Sequence, residues 1–461
     1  MECRGLTNRS KASRVDSDHH LHPYTSIRQV ENDGPLVITK GERVRIFDES
    51  GRSFIEGMSG LWCAGLGFSE KRLADAAYRQ MLELPYYHSF NGRVPRIVTE
   101  LVEEMMAWSP VPMERLLFAN SGSESNDAAY KIVHYYNNAI GRPEKKKFIA
   151  RDKGYHGTTA AASALSGIMA GKTLFDLPIG AIIRVSCPHF YQYAHPRETP
   201  QSYSDRLIDE IEQAIAREGP ETIAAFIAEP VIGGGGVMIP PPDYFPRVQE
   251  ILKKNDILFI ADEVISGFGR LGEPFGTQVF DLKPDIITVA KMLSSAYAPI
   301  SALYLNERIC AGLRKGSDKV GYFGHGYTYS GHPMAAAVAL ETLRIYRADG
   351  IMDHVRRVGP HLQAGLRRFV SHPLVGEVRG IGLIGAIELA EDPAQRKPFP
   401  PEKGVGAFFL RRAFDRGLIL RAIQGDILAF SPPLIINEEE IDEILDITAA
   451  VLDETLDWVR G

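Results

Sequence analysis

The sequence predicts an α/β protein with a large central domain on a mostly parallel, seven-stranded type of sheet, and a smaller α+β domain from both chain ends. Three short apolar runs each end on an ionisable residue: AAFIAEPV at Glu229, ILFIADEV at Asp262 and IITVAKML at Lys291. Aliphatic runs of this length are typical of strands buried in a parallel sheet. Helical and strand patterns also alternate from about residue 95 to 330, as in a series of βαβ units.

After residue 335 the pattern changes to helices and paired strands, which predicts a division of the chain into four parts. We expect a flexible tail at residues 1–20, the first part of the small domain at 21–80, the large domain at 81–334 and the rest of the small domain at 335–461. The tail is basic and polar. A flexible tail is favoured over a transit peptide because acidic residues interrupt the basic pattern.

The composition excludes several classes of function. The chain has 461 residues, of which 44% are hydrophobic and 24% charged, as in an ordinary globular enzyme. A formal net charge of -6 gives no reason to expect binding to nucleic acid or to a membrane surface. Four scattered cysteines predict neither a disulfide framework nor a metal site, so a reduced, cytoplasmic setting is expected. No apolar stretch is long enough to predict a membrane span.

The three ionisable residues at the strand ends are predicted to converge, because ligands of open α/β sheets bind beyond the carboxyl ends of the strands. Lysine is rarely buried unless it is paired or functional, and a desolvated lysine forms Schiff bases. Asp262 could keep a heteroaromatic nitrogen protonated, or it could cap a helix or pair with an arginine. The functional interpretation, with Lys291 as the Schiff-base lysine and Glu229 beside the ring, predicts a pyridoxal 5′-phosphate (PLP) site.

A turn rich in small residues, at 120–123, precedes a predicted helix. It could bind a phosphate with its free N–H groups, or it could be an ordinary helix start with Ser123 as the N-cap. The residues of the turn alone favour the second interpretation. Tyr155 and His156 follow another strand, where the tyrosine could stack on a planar ring or pack in the core. The glycines at 233–236 lack the frame of a nucleotide loop and predict a close approach of the backbone to the site.

Several segments together resemble one family. FANSGSES, GYHGTT, IAEPVIGGGGV, IADEVISGFGRLG, PDIITVAKMLSSAYAPISA, HGYTYSGHP and VRGIGLIGAIEL are similar to segments of the class III (omega) aminotransferases, which belong to the fold-type I PLP superfamily. The resemblance runs in order from about residue 20 to 455. GLWCAGLGF and LPYYHSF resemble the amine:pyruvate subgroup in particular.

The resemblance implies roles for individual residues. Lys291 would form the Schiff base and carry the proton, and Asp262 would keep the pyridine nitrogen protonated. Thr328 would reach the phosphate of a neighbouring subunit, which implies a homodimer with shared sites, or a tetramer built of dimers. The implied cofactor-binding residues are Ser121, Gly122, Ser123, Tyr155, His156, Glu229, Asp262, Val264, Lys291 and Thr328.

The same resemblance implies a substrate pocket walled by Trp62, Phe90 and Tyr155. Arg421 would bind the carboxylate of a keto acid, since a planar guanidinium suits two parallel hydrogen bonds to a carboxylate. Without the resemblance, the favoured role of Arg421 would be an arginine in a surface ion pair. Met292 and Ala296 stand where the family usually has glycine, and the bulk of Met292 is expected to alter the backbone beside the lysine.

These observations predict an omega-aminotransferase that moves an amino group from a primary amine or omega-amino acid to a keto acid, with pyruvate expected. The reaction would follow ping-pong kinetics through pyridoxamine phosphate. An aminomutase or a decarboxylase on the same scaffold is the alternative, because Lys291 and Asp262 serve all three reactions. A binding protein without catalysis is disfavoured, since it would be expected to have lost one of these two residues.

Overall fold

The computed structural model describes residues 9–177 and 180–461, and its strands form three sheets within that part of the chain. The strands are β1 (Ile38–Glu42), β2 (Arg45–Asp48), β3 (Ser53–Glu56), β4 (Arg115–Ala119), β5 (Lys147–Arg151), β6 (Ile182–Val185), β7 (Ile223–Ala228), β8 (Leu258–Asp262), β9 (Ile286–Val289), β10 (Ser301–Leu305), β11 (Val375–Ile381), β12 (Ile384–Leu389), β13 (Leu418–Ile419), β14 (Arg421–Ile423) and β15 (Ile427–Phe430).

The sheets are surrounded by helices. The helices are α1 (Lys11–His19), α2 (Ile27–Asp33), α3 (Ser59–Trp62), α4 (Lys71–Glu83), α5 (Arg96–Trp108), α6 (Gly122–Ala139), α7 (Ala160–Leu165), α8 (Phe190–Tyr193), α9 (Pro200–Glu218), α10 (Tyr244–Lys254), α11 (Gly276–Val279), α12 (Glu307–Val320), α13 (Pro333–Ala348), α14 (Ile351–Arg367), α15 (Val405–Asp415) and α16 (Glu438–Arg460). None of the described helices is both long enough and apolar enough to cross a lipid bilayer.

The largest sheet has seven strands in the order β4-β10-β9-β8-β7-β5-β6. All of its neighbouring strands are parallel except β10, which runs antiparallel to both β4 and β9. The predicted mostly parallel sheet is therefore confirmed. Its inner strands β7, β8 and β9 are the three apolar runs of the sequence, and every residue in them is buried.

Both faces of this sheet are covered, which explains why its strands are apolar without alternation. Along β7, Phe226 and Ala228 pack into one hydrophobic cluster, whereas Ala225 and Ile227 pack into another on the opposite face. On the first side, helix α13 is buried along most of its length and contacts α4 and α5. The carboxyl ends of β7, β8 and β9 consequently lie together at one edge of the buried core.

One of the two smaller sheets joins strands from both ends of the chain, as predicted. It has the order β1-β2-β3-β13, so a C-terminal strand runs parallel to β3, with Leu418 opposite Ile55. The other, β11-β12-β15-β14, is antiparallel. Within the segment expected to be a flexible tail, residues 11–19 form helix α1, and residues 1–8 lie outside the described part of the chain.

Candidate active site

A cavity of about 390 Å³ opens at the carboxyl edge of the large sheet. Glu229 follows β7 directly, Asp262 ends β8 and Lys291 comes two residues after β9, and all three line this cavity. The structure therefore brings together the three ionisable residues that end the apolar runs. Parallel neighbours explain the convergence, because their carboxyl ends lie at the same edge of the sheet.

Asp262 is buried and its carboxylate is held at both oxygens. Its Oδ2 accepts hydrogen bonds from Asn126 Nδ2 at 2.8 Å and from His156 Nδ1 at 2.7 Å, and its Oδ1 accepts from the backbone N–H of Val264 at 3.1 Å. Asn126 Nδ2 also donates to the carbonyl of His156 at 2.7 Å, and its Oδ1 accepts from Thr288 at 2.9 Å. Asn126 was not predicted from the sequence, where its only signal is an amide that interrupts the small and apolar residues on the inner side of α6.

Glu229 is buried and uses both carboxylate oxygens to hold backbone. Its Oε1 accepts from the N–H of Tyr155 and its Oε2 from the N–H of Gly233, each at 3.0 Å. Burial raises the pKa of this carboxyl, whereas His156 acts in the opposite direction. A Cβ at Gly234 would lie 3.3 Å from Tyr155 Cβ, so the backbone of this loop passes close to the tyrosine. Glu229 thus positions the tyrosine and the glycine-rich loop.

Lys291 is half-buried and lines the cavity, with its backbone in the left-handed region at φ of 47°. Burial lowers the pKa of its amine, and the nearby Cys63 and Asp262 oppose that shift. Its Nζ lies 5.9 Å from the centre of the Trp62 ring. A lysine amine with a lowered pKa is neutral more often near pH 7, and only the neutral amine is a nucleophile.

Residues 121–123 line the same cavity at the start of helix α6. The N-cap is Ser121, whose Oγ accepts from the N–H of Glu124 at 3.2 Å, so the expectation that Ser123 caps the helix was wrong. The helix begins earlier than expected, and this leaves Ser123 Oγ to accept from the N–H of Thr158 at 3.0 Å. A side chain at Gly122 would lie 2.9 Å from a methyl of Val264, so the backbone passes that valine as closely as packing allows.

A second cavity, of about 310 Å³, adjoins the first and shares Tyr155 and Lys291 with it. Trp62 and Arg421 line it, and the Arg421 guanidinium lies 5.5 Å from the centre of the indole ring. These two residues meet because each follows one strand of the parallel pair β3 and β13. Tyr24, a residue not predicted from the sequence, lines this cavity as well.

Arg421 is not engaged in an ion pair with any residue that the structure describes. The alternative role, a surface ion pair, would require an acidic partner, and no residue within that part of the chain provides one.

Phe90 and Thr328 do not line either cavity of their own chain. Both are exposed, Phe90 by 42%, on a surface that we call the aromatic face and that comprises Tyr86, Tyr87, Phe90, Thr328 and Tyr329. Tyr86 OH donates to the carbonyl of Thr328 at 2.9 Å, and the rings of Tyr86 and Tyr329 are 5.8 Å apart. The two segments that carry Phe90 and Thr328 therefore pack against each other at the surface.

The two residues that stand in place of glycine after Lys291 have different surroundings. Met292 is fully buried, and its carbonyl accepts from Tyr346 OH at 2.9 Å. Ala296, which lines the first cavity, has φ of 66°, in the left-handed region that favours glycine. An alanine thus occupies a position whose backbone conformation favours glycine.

Comparison with known proteins yields one family. The family model Aminotransferase class-III matches residues 27–452. A gamma-aminobutyrate transaminase 1, mitochondrial, from Oryza sativa subsp. indica is 47% identical over 436 residues, which are 94% of this chain and 84% of the relative. The crystal structure of an omega transaminase from Pseudomonas jessenii in complex with PMP has a TM-score of 0.96 and 47% identity, covering 98% of this chain and 99% of the other.

A third similar protein is a thermostable omega transaminase variant engineered for asymmetric synthesis of enantiopure bulky amines. Its TM-score is 0.95 at 45% identity, and the match covers 97% of this chain and all of the other. The variant replaces a tryptophan, a phenylalanine and an arginine.

Proposed function

Since this chain belongs to the class III aminotransferases, we propose that it moves an amino group from a primary amine or omega-amino acid to pyruvate. As a member of this family it is a PLP-dependent omega-aminotransferase, acting on an amine donor and a keto-acid acceptor. The finer points, namely pyruvate as the acceptor, the site residues and the assembly, are our proposal. The gamma-aminobutyrate transaminase from rice supports omega-amino acids as one class of donor.

We propose that the first cavity holds PLP, because its lining fits the group. The hydroxyls and free N–H groups of residues 121–123 at the start of an 18-residue helix suit a phosphate. The glycine at position 122 is required there, because a Cβ would collide with Val264. Val264 and Tyr155 would flank the ring, and Asp262 would face its nitrogen. When bound, PLP supplies the electron sink that stabilises the negative charge left on the substrate carbon.

The residues of the chain then have separate tasks. Lys291 Nζ would hold the cofactor covalently and would carry the proton between the substrate carbon and the cofactor's C4′, a role that its lowered pKa favours. Asp262 keeps a proton on the ring nitrogen, and Asn126 and His156 hold the carboxylate in place for that purpose. Glu229 positions the neighbouring backbone and moves no proton.

The observation that carries the proposal is Arg421 without an ion pair among the described residues, in a cavity that shares Lys291 with the cofactor cavity. A guanidinium in this position suits the carboxylate of a keto acid. The engineered variant supports the same pocket, because its replaced tryptophan, phenylalanine and arginine are spaced along that chain as Trp62, Phe90 and Arg421 are along this one. An aminomutase or a decarboxylase has no need of a second, carboxylate-bearing acceptor.

We also propose that the protein is a homodimer in which the aromatic face is buried and Phe90 and Thr328 reach the partner's site. Exposed aromatic residues clustered on one surface are typical of a protein interface, which supports this assembly. A tetramer built of such dimers stays a prediction. The domain boundaries at residues 20, 80 and 334 and the cytoplasmic location are likewise proposals, although the relative from rice is named as mitochondrial.

The proposal is tested by supplying amine donors with pyruvate and measuring alanine and the deaminated product together. We expect the two products in equal amounts, parallel lines in a double-reciprocal plot, and no turnover by Lys291→Ala. For Arg421→Ala we expect weaker use of pyruvate, with a smaller loss for uncharged amines in the donor half-reaction. Release of CO₂, or product formed without any acceptor, would establish the decarboxylase or aminomutase alternative instead.

A further inference from the structure

The turn that joins β3 to Trp62 is held in an uncommon backbone conformation. Ser59, Gly60 and Trp62 have φ angles of 49°, 68° and 59°, all in the left-handed region. Residues other than glycine adopt this region only at a cost in free energy, so neighbouring groups have to stabilise it. Two buried charged residues, Glu56 and Arg270, form hydrogen bonds with this turn.

Glu56, the last residue of β3, holds the turn from one side. It is 3% exposed, its Oε1 accepts from the N–H of Met58 at 3.2 Å, and its Oε2 accepts from the N–H of Gly60. Hydrogen bonds to an ionised carboxylate are stronger than those between neutral groups. One carboxylate therefore fixes two backbone groups of the turn.

Arg270 holds the turn from the other side. It is completely buried, and its guanidinium donates to Ser59 Oγ at 3.1 Å and to the carbonyl of Pro432 at 2.6 Å. Ser59 Oγ in turn donates to the carbonyl of Ser431 at 2.7 Å. The turn thus lies between buried groups of opposite charge that attract each other.

Trp62 lies at the end of the turn that Glu56 and Arg270 hold. Its indole is 6% exposed and has the Lys291 amine at 5.9 Å and the Arg421 guanidinium at 5.5 Å from its centre. A rotation of the turn would change the wall of the second cavity and both of these contacts at once. We propose that Glu56 is a positioning residue that fixes Trp62 and thereby sets which amine donors the enzyme prefers. This inference rests on the proposed function in that Trp62 walls the donor pocket.

The test compares Glu56→Gln with two further variants of the holoenzyme. A glutamine offers one acceptor oxygen where two N–H groups need one each, so its amide nitrogen would face an N–H donor. Ser59→Ala removes the bond to Arg270 and leaves Glu56 intact, which keeps the test available if Glu56→Gln fails to fold. The matched control is Glu210→Gln, since Glu210 also accepts a backbone N–H, from Ser186 at 3.1 Å, and lines neither cavity.

The first measurement is hydrogen exchange in residues 57–64 at about pH 8, above the Glu56 pKa of about 7. We expect exchange to be faster by about tenfold in Glu56→Gln, which corresponds to one lost charge-assisted hydrogen bond. Ser59→Ala should show a smaller increase, and Glu210→Gln should match the wild type. Unchanged exchange in both turn variants overturns the proposal.

The second measurement is the ratio of kcat/KM for 1-phenylethylamine to that for 2-aminobutane, with pyruvate as acceptor. We expect this ratio to fall about tenfold in Glu56→Gln, because the larger donor depends more on the indole wall. Faster exchange with an unchanged ratio would show that Glu56 is structural only, which overturns the inference. If the wild type transfers no amino group to pyruvate from either amine or from an omega-amino acid, the proposed function fails, whereas the exchange rates still report on Glu56.

Discussion

Replacing Gly122 by alanine should weaken the binding of PLP without unfolding the protein. The added Cβ would lie 2.9 and 3.1 Å from the two methyl groups of Val264. Carbon atoms in contact are normally about 3.5–4.0 Å apart, so the valine or the helix start has to move by roughly half an ångström or more. Overpacking of this kind costs about 1–3 kcal/mol. If this cost falls on cofactor binding, the Kd for PLP rises about 5- to 150-fold.

The assay is an absorbance titration of the cofactor-free protein with PLP. The control is Gly365→Ala, whose added Cβ would collide with Leu445 where α14 packs against α16; Gly365 lines neither cavity. The control should lower the melting temperature and leave the Kd for PLP unchanged. If the Kd of Gly122→Ala for PLP stays within twofold of the wild-type value, the assignment of this turn to the cofactor is refuted.

Three further predictions concern stability. Asn126→Ala removes a hydrogen bond to the buried Asp262. We expect the free energy of unfolding, measured by urea denaturation, to fall by about 2 kcal/mol, and the Kd for PLP, measured by titration, to rise. An unchanged Kd would contradict this. Ala296→Gly should raise the free energy of unfolding by about 0.5–1 kcal/mol, because alanine is strained at positive φ, and a less stable variant would disprove the strain. Burial raises the pKa of Glu56 from 4.5 to about 7, so the folded state keeps a proton that the unfolded state loses, and this group makes the protein less stable as pH rises between those values. The unfolding free energy of the wild type minus that of Glu56→Gln should therefore fall by roughly 3 kcal/mol over this range. If this difference is the same at about pH 5 and about pH 8, the raised pKa of Glu56 is ruled out.

The large sheet could be predicted because its physical cause is local. A strand covered on both faces is mostly apolar, so β7, β8 and β9 are each visible as a short apolar run, interrupted only by Thr288 in β9, that ends at the ligand edge. The ionisable residue after each run then marks the site. Glu229, Asp262 and Lys291 could be identified for this reason, before any comparison with a family.

Other parts of the site depend on contacts between distant segments, which no local pattern reveals. Asn126 lies in a helix among small and apolar residues, and only the packing of α6 against the sheet brings its amide to Asp262. Strand β13 has two residues, too few for any periodicity, so its pairing with β3 could not be anticipated. The role of Trp62 and Arg421 was accessible only through resemblance, because that pairing is what brings them together.

The pairing of β3 with β13 also fixes the order in which the two cavities can form while the chain is being synthesised. All strands of the seven-stranded sheet precede Asn306, so a nascent chain can complete the cofactor edge long before Leu418 leaves the ribosome. Until then β3 lacks its parallel neighbour and Trp62 has no Arg421 beside it. The second cavity is thus completed last, and a chain that stops before β13 contains the residues of the cofactor edge and Trp62 but lacks Arg421.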